Sequence, residues 1–181
     1  APSMSDALIA GLRAAEMDVV DLGQADTSFM YFAIPHIAGA LGGVQTTASH
    51  NPPQYNGFKI SKRNALPVGE QTGLGEIRKH AATVDPNGRH DLSLKGRVEE
   101  RDLWDAYIAH VRFFLDLGGR EIKVVVDASN AMAGTMVPRV FGKKGADIEG
   151  LEIVELYFEN SKHEFVHEPN PLVAANLRDL Q

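Results

Sequence analysis

Residues 122–129 read IKVVVDAS, and no other run constrains the fold as tightly. Four of its first five side chains are apolar, and three of them are consecutive valines. Branched residues favour extended backbone. A near-continuous apolar run is the pattern of a parallel strand buried on both faces. Parallel strands need crossover connections, usually helices, and the chain supplies one. Gly134 to about Lys144 reads as a helix, and EIVELYF (152–158) as the next strand. The expected class is therefore α/β.

The same order appears nearer the start. Ser3-Met4-Ser5-Asp6 is a helix start with Ser3 as cap, and Met4, Leu8, Leu12 and Ala15 recur at helical spacing. DVVDLG (18–23) reads as a short strand. A second helix is expected over about 28–40, with a kink or early stop at Pro35, because an interior proline costs about 3 kcal/mol. GVQTT (43–47) and GFKIS (57–61) read as strands and GLGEIRKHA as a helix. Residues 85–97 are rich in turn formers and read as a loop. Leu103, Trp104, Tyr107, Ile108, Val111, Phe114 and Leu115 then mark one face of an amphipathic helix. The spacing predicts two α/β units joined by that helix at about 99–117.

Composition narrows the function classes. At 181 residues and 44% hydrophobic, the chain can bury a useful core. Its net charge of −6 argues against nucleic acid or an anionic membrane as partner. The absence of cysteine excludes disulfides and thiolate metal sites and suits a cytoplasmic protein. The opening APSMSDAL lacks the basic region and apolar core of a secretory signal. With no initiator Met and helix signals at both ends, the chain is expected to be a piece of a longer protein.

Two motifs misdirect. HEFVH (163–167) fits the H-E-x-x-H zinc pattern, but that chemistry needs both histidines on one face of a helix. Pro169 disfavours helix at Glu168, so a loop is expected. GLGEIR has two glycines but no strand directly before it, which makes a poor dinucleotide loop. The stretch TTASHNPPQYNGFKI (46–60) differs in kind. It puts Ser49 and His50 on a loop that follows a strand. Two prolines restrict that loop, Asn56-Gly57 closes it, and Lys59 lies on the returning strand. A serine held on a rigid loop near cations suits phosphoryl chemistry, because geometry is fixed and moving charge is offset. The same residue types also suit a plain turn with a surface lysine, and on types alone both readings stand.

The run T-A-S-H-N-P-P-x-Y-N-G-F-K, residues 47–59, resembles the phosphoserine loop of the α-D-phosphohexomutases, closest to their phosphomannomutase/phosphoglucomutase branch. SDALIAGLRAAEMDVVDLG, VVVDASNAMAG and HEPNPLVAANLRDL are similar to further segments of that family. The resemblance implies two consecutive three-layer α/β/α units with mixed, mostly parallel sheets, the second incomplete. Residues 1–98 would be domain 1 without its first strand, 99–117 a linker helix, and 118–181 the start of domain 2.

The implied activity is reversible phosphate transfer between O1 and O6 of a hexose phosphate, through a hexose 1,6-bisphosphate. Ser49 would carry the phosphate, which would also be a ligand of Mg2+. His50 would orient the serine oxygen. Lys59 would bind substrate and serve in proton transfer or charge stabilisation. The family's Asp-Gly-Asp-x-Asp-Arg metal loop is absent from the sequence and would be expected just after Gln181. This chain alone is therefore expected to be inactive. The rival expectation is a non-catalytic sugar-phosphate-binding or assembly protein that kept the fold. Asn130-Ala131 stands where the family often has Asn-Gly, which would strain Ala131 if that position needs positive φ.

Overall fold

The computed structural model describes residues 2–49, 51, 54–85, 93–162, 164–168 and 170–180. The chain forms two compact units, Ala1–Thr47 with Gly57–Asp102, and Ala48–Asn56 with Leu103–Gln181.

In the first unit, helix α1 spans Pro2–Ala14. It starts one residue before the expected cap, with Pro2 in the first turn where its missing N–H is no loss. Glu16, at φ 63°, turns the chain out of it. Strand β1 (Val19–Asp21) follows, then α2 (Thr27–His36). The Asp26 carboxylate caps α2 by accepting the Phe29 N–H at 2.9 Å, a contact worth about 1 kcal/mol. Pro35 sits in the last turn, and the helix stops one residue later rather than near 40. Phe29, Met30, Phe32, Ala33 and Ile34 of α2 are all buried, so this helix is the centre of the unit's core.

Strands β2 (Gly42–Thr46), β3 (Phe58–Lys62) and β4 (Leu66–Pro67) form an antiparallel sheet in that order. A Cβ on Gly43 would lie 3.0 Å from the Ile34 side chain, so glycine there allows α2 to pack close. Helix α3 covers Leu74–Ala81. The predicted loop at 85–97 lies partly outside the described residues. It leads to strand β5 (Val98–Glu100), parallel to β1.

β5 corrects the expectation of a helix from 99. Helix α4 covers only Trp104–Phe113. Its inward face is the predicted one, with Tyr107 buried, but Phe113 and Phe114 are 83% and 72% exposed. Val-Glu-Glu carries no strand signal of its own, and pairing with β1 supplies the ladder.

In the second unit, β6 (Ile122–Asp127) and β7 (Leu151–Leu156) are parallel, with Ile122 opposite Leu151. Helix α5 (Ala133–Phe141) connects them. Met136, Val140, Ile153 and Ala128 form the core with Tyr107. Arg112 ties α4 to α5 by donating to the Val140 carbonyl at 2.6 Å, and Arg139 lies 4.4 Å from the centre of the Trp104 ring. The parallel pairing is as expected. The burial of β6 on both faces is not, since Val124 and Val125 are 39% and 44% exposed. A two-stranded sheet has too little cover to bury both faces of either strand. No helix among the described residues is long and apolar enough to cross a membrane.

Candidate functional site

The β2–β3 ladder runs from Gly42 opposite Lys62 to Thr46 opposite Phe58. One further bond, Thr47 N–H to the Gly57 carbonyl at 2.9 Å, closes the neck of the loop between them. Beyond that neck the chain turns sharply. The Ala48 carbonyl accepts both the Asn51 N–H at 3.1 Å and the Asn51 side-chain Nδ2 at 2.9 Å. Ser49 sits inside this turn at φ 56° and is exposed. A left-handed backbone costs a non-glycine residue about 1–2 kcal/mol. Such positions persist where surrounding bonds over-determine them, and they cluster at functional sites.

Lys59 pairs directly with Gln45 and is exposed. Alternation along the strands puts Gly43, Gln45, Lys59 and Ser61 on the face that α2 covers. Gln45 reaches the Ala25 carbonyl there at 3.2 Å, just ahead of the α2 cap. Ser49 belongs to the second unit and Lys59 to the first. His50 lies outside the described residues, as do Pro52 and Pro53, to which the stiffening of the loop is assigned.

A second polar cluster, of which the sequence pattern marks only Asn130 and, through HEFVH, His167, lies at the carboxyl ends of β6 and β7. Ser129 and Asn130 there have φ 47° and 53°. Ala131 does not share the left-handed backbone, so the strain considered for it falls on its two predecessors. Asn130 donates to the Glu159 carbonyl at 2.7 Å and accepts the Val166 N–H at 2.9 Å. Asn160 donates to the Ala131 carbonyl and to the Thr135 hydroxyl. Asp127 accepts from the Ser129 N–H at 2.7 Å and from His167 Nε2 at 3.0 Å. The described part of HEFVH, residues 164–167, is not helical, and His163 lies outside the described residues. The zinc pattern thus marked His167 for the wrong chemistry. A better signal was an aspartate ending an apolar strand, the usual place for function in α/β sheets.

Among the described residues, no three His, Asp or Glu side chains converge on a point that could hold a metal ion. The Mg2+ site implied by the resemblance is not made up of them.

Residues 1–87 match the model of the phosphoglucomutase/phosphomannomutase α/β/α domain I. A phosphomannomutase of Escherichia coli K12 is 34% identical over 151 residues, covering 81% of this chain and 33% of that protein. A protein of Xanthomonas campestris described as phosphohexose mutases is 34% identical over 177 residues, covering 97% of this chain and 37% of its own length. A crystal structure of a phosphoglucomutase/phosphomannomutase family protein from Burkholderia thailandensis superposes with a TM-score of 0.76 at 34% identity, covering 98% of this chain and 38% of that one. The chain spans about a third of the length of these relatives.

Proposed function

The chain belongs to the phosphoglucomutase/phosphomannomutase family, and from that premise we propose that the protein carrying it is a phosphohexomutase with Ser49 as its phosphate carrier. The substrate class is mannose or glucose phosphate, and the reaction moves phosphate between O1 and O6. The observation that carries this reading is Ser49 itself, exposed and held at φ 56° in a turn closed by Asn51.

In the first half-reaction, a sugar hydroxyl attacks the Ser49 phosphate. The new bond joins phosphorus to the sugar oxygen, the bond to Ser49 Oγ breaks, and the hydroxyl proton leaves to a base. The product is hexose 1,6-bisphosphate. In the second half-reaction, Ser49 Oγ loses its proton and attacks the other phosphorus, the bond from that phosphorus to its sugar oxygen breaks, and the sugar oxygen takes up a proton as the hexose monophosphate leaves. Splitting the exchange in two in this way is ordinary covalent catalysis. Lys59 serves as the proton-transfer or charge-stabilising group, and His50 orients the serine oxygen.

Residues 1–98 and 118–181 correspond in this reading to domain 1 and the start of domain 2, each a three-layer α/β/α unit, with the linker helix inside 99–117. Mg2+ remains part of the proposal, and its carboxylate ligands would have to come from outside the described residues.

The rival reading is a non-catalytic sugar-phosphate-binding or assembly protein that kept the fold. Phosphopeptide mapping by mass spectrometry separates the two. The mutase reading expects one phosphate on Ser49 that is lost to added hexose monophosphate. A Ser49 that never carries phosphate, in protein phosphorylated by neither bisphosphate nor its own cell, overturns it.

A further inference from the structure

His167 makes two hydrogen bonds of a kind that one neutral imidazole cannot supply. Its Nδ1 lies 3.0 Å from the Glu168 carbonyl, and its Nε2 lies 3.0 Å from Asp127 Oδ2. A carbonyl oxygen only accepts, and a carboxylate only accepts. Both ring nitrogens must therefore carry protons for both contacts to be hydrogen bonds, which describes the imidazolium. The Asp127 carboxylate also receives the Ser129 N–H and the Ser129 hydroxyl on its other oxygen, at 2.7 and 3.1 Å. Its side chain is 6% exposed and that of His167 18%, so solvent screens this pair far less than the surface pairs elsewhere.

The pair closes one of three ties on the same piece of chain. The Val166 N–H donates to Asn130 Oδ1, His167 binds Asp127, and the Tyr157 hydroxyl donates to Asp179. In each tie the partner outside the segment, Asn130, Asp127 or Tyr157, belongs to the carboxyl ends of β6 and β7, and two of these, Asn130 and Tyr157, have left-handed φ of 53° and 55°. A positive φ is a genuine outlier for a residue as bulky as tyrosine. The strand ends are thus strained into place around a segment that is held by side chains rather than by a ladder.

We propose that the Asp127–His167 pair is a proton-operated latch, which straps residues 166–168 and 170–179 to the carboxyl ends of β6 and β7 while His167 is protonated.

The groups facing His167 are the Asp127 carboxylate at the end of β6, the Tyr157 ring edge-on at 5.5 Å after β7, the Glu168 carbonyl beside it, and Asp179 from the closing helical turn. The Glu168 carbonyl foremost, then the Asp127 and Asp179 carboxylates, raise the imidazole above its ordinary value of 6.5, against burial, which lowers it. A group with a raised folded value contributes its full stability below about pH 6.5 and loses it as the pH rises through the folded value. The latch is therefore tight in mild acid and opens toward the alkaline side. This inference stands apart from the role of Ser49 and needs no bound sugar or metal.

Hydrogen exchange of the protein, read by mass spectrometry and corrected for the intrinsic pH dependence of exchange, tests it. Peptides covering 166–179 should lose protection as the pH rises above about 6.5, approaching tenfold for each unit by which the folded value is raised. Peptides covering 122–127 should keep theirs. His167→Gln should give 166–179 a low protection that no longer varies with pH, and Asp127→Asn should do the same. If Asp127→Asn also exposes 122–127 and so fails to fold, His167→Gln decides alone, since it leaves the Asp127–Ser129 bonds intact. Flat protection in the unmodified protein, or an unchanged pH slope in His167→Gln, overturns the latch.

Discussion

Two turns of this molecule follow strands and hold polar residues at left-handed φ, yet they are built differently. The turn after β2 has Ser49 at 56°, with Asn51 bonded back to the Ala48 carbonyl, and Ser49 is exposed. The turn after β6 has Ser129 and Asn130 at 47° and 53°, tied by side chains to Glu159, Val166 and Asp127. Strain in the second turn is bound into long-range packing. Among the described residues, the first turn is held by the Asn51 bonds to the Ala48 carbonyl three residues back. The same backbone signature occurs in both turns; in the proposed mutase it serves chemistry at Ser49, while at Ser129 and Asn130 it is built into long-range hydrogen bonds.

Mutation sharpens this contrast. The largest effect is expected at Asn130. Asn130→Ala removes a donor and an acceptor and leaves a methyl group at φ 53°, so it should cost about 2–4 kcal/mol in denaturant melts. Asn130→Gly should cost less, because it keeps the backbone easy. Equal losses for the two would show that φ plays no part. Gly134→Ala comes next. Its Cβ would lie 2.1 Å from the Phe158 carbonyl oxygen, and a displacement of α5 should destabilise by about 1–3 kcal/mol. Smallest is Ser49→Gly, for which relief of strain outweighs the added chain entropy by no more than about 1 kcal/mol. A loss of stability there instead of a gain would mean that the Ser49 side chain supports the fold, and the contrast between the turns would fail.

Much of the fold was legible because its signals are local. The valines of β6, the periodic face of α4 and the early stop at Pro35 all write periodicity or steric limits into a few neighbouring residues, whereas Asn56-Gly57 forms no tight turn and lies at the neck of a longer loop. What escaped depends on distance along the chain. β5 is three residues, two of them glutamate, and becomes a strand only because Val98 meets Val19. Nothing in HEFVH says that His167 will find Asp127, forty positions back. The exposure of Val124 and Val125 was unforeseen for a related reason, since an apolar run reports a preference for burial and not how many strands lie alongside. At the candidate site, Ser49 was marked by residue pattern, while its left-handed backbone was visible only in the structure. Asn51 carries no signal of its own beside the two prolines, yet it bonds back to the Ala48 carbonyl and helps close the turn.

The central claim is that Ser49 carries phosphate, and the most direct test is turnover of hexose 1-phosphate to hexose 6-phosphate by the full-length protein with and without Ser49→Ala. The melting curve of this variant should stay close to that of the parent, because Ser49 is exposed and alanine tolerates the turn about as poorly as serine does. Turnover should fall to background even with hexose 1,6-bisphosphate supplied. Turnover equal to the parent's in a folded Ser49→Ala protein would contradict the assignment.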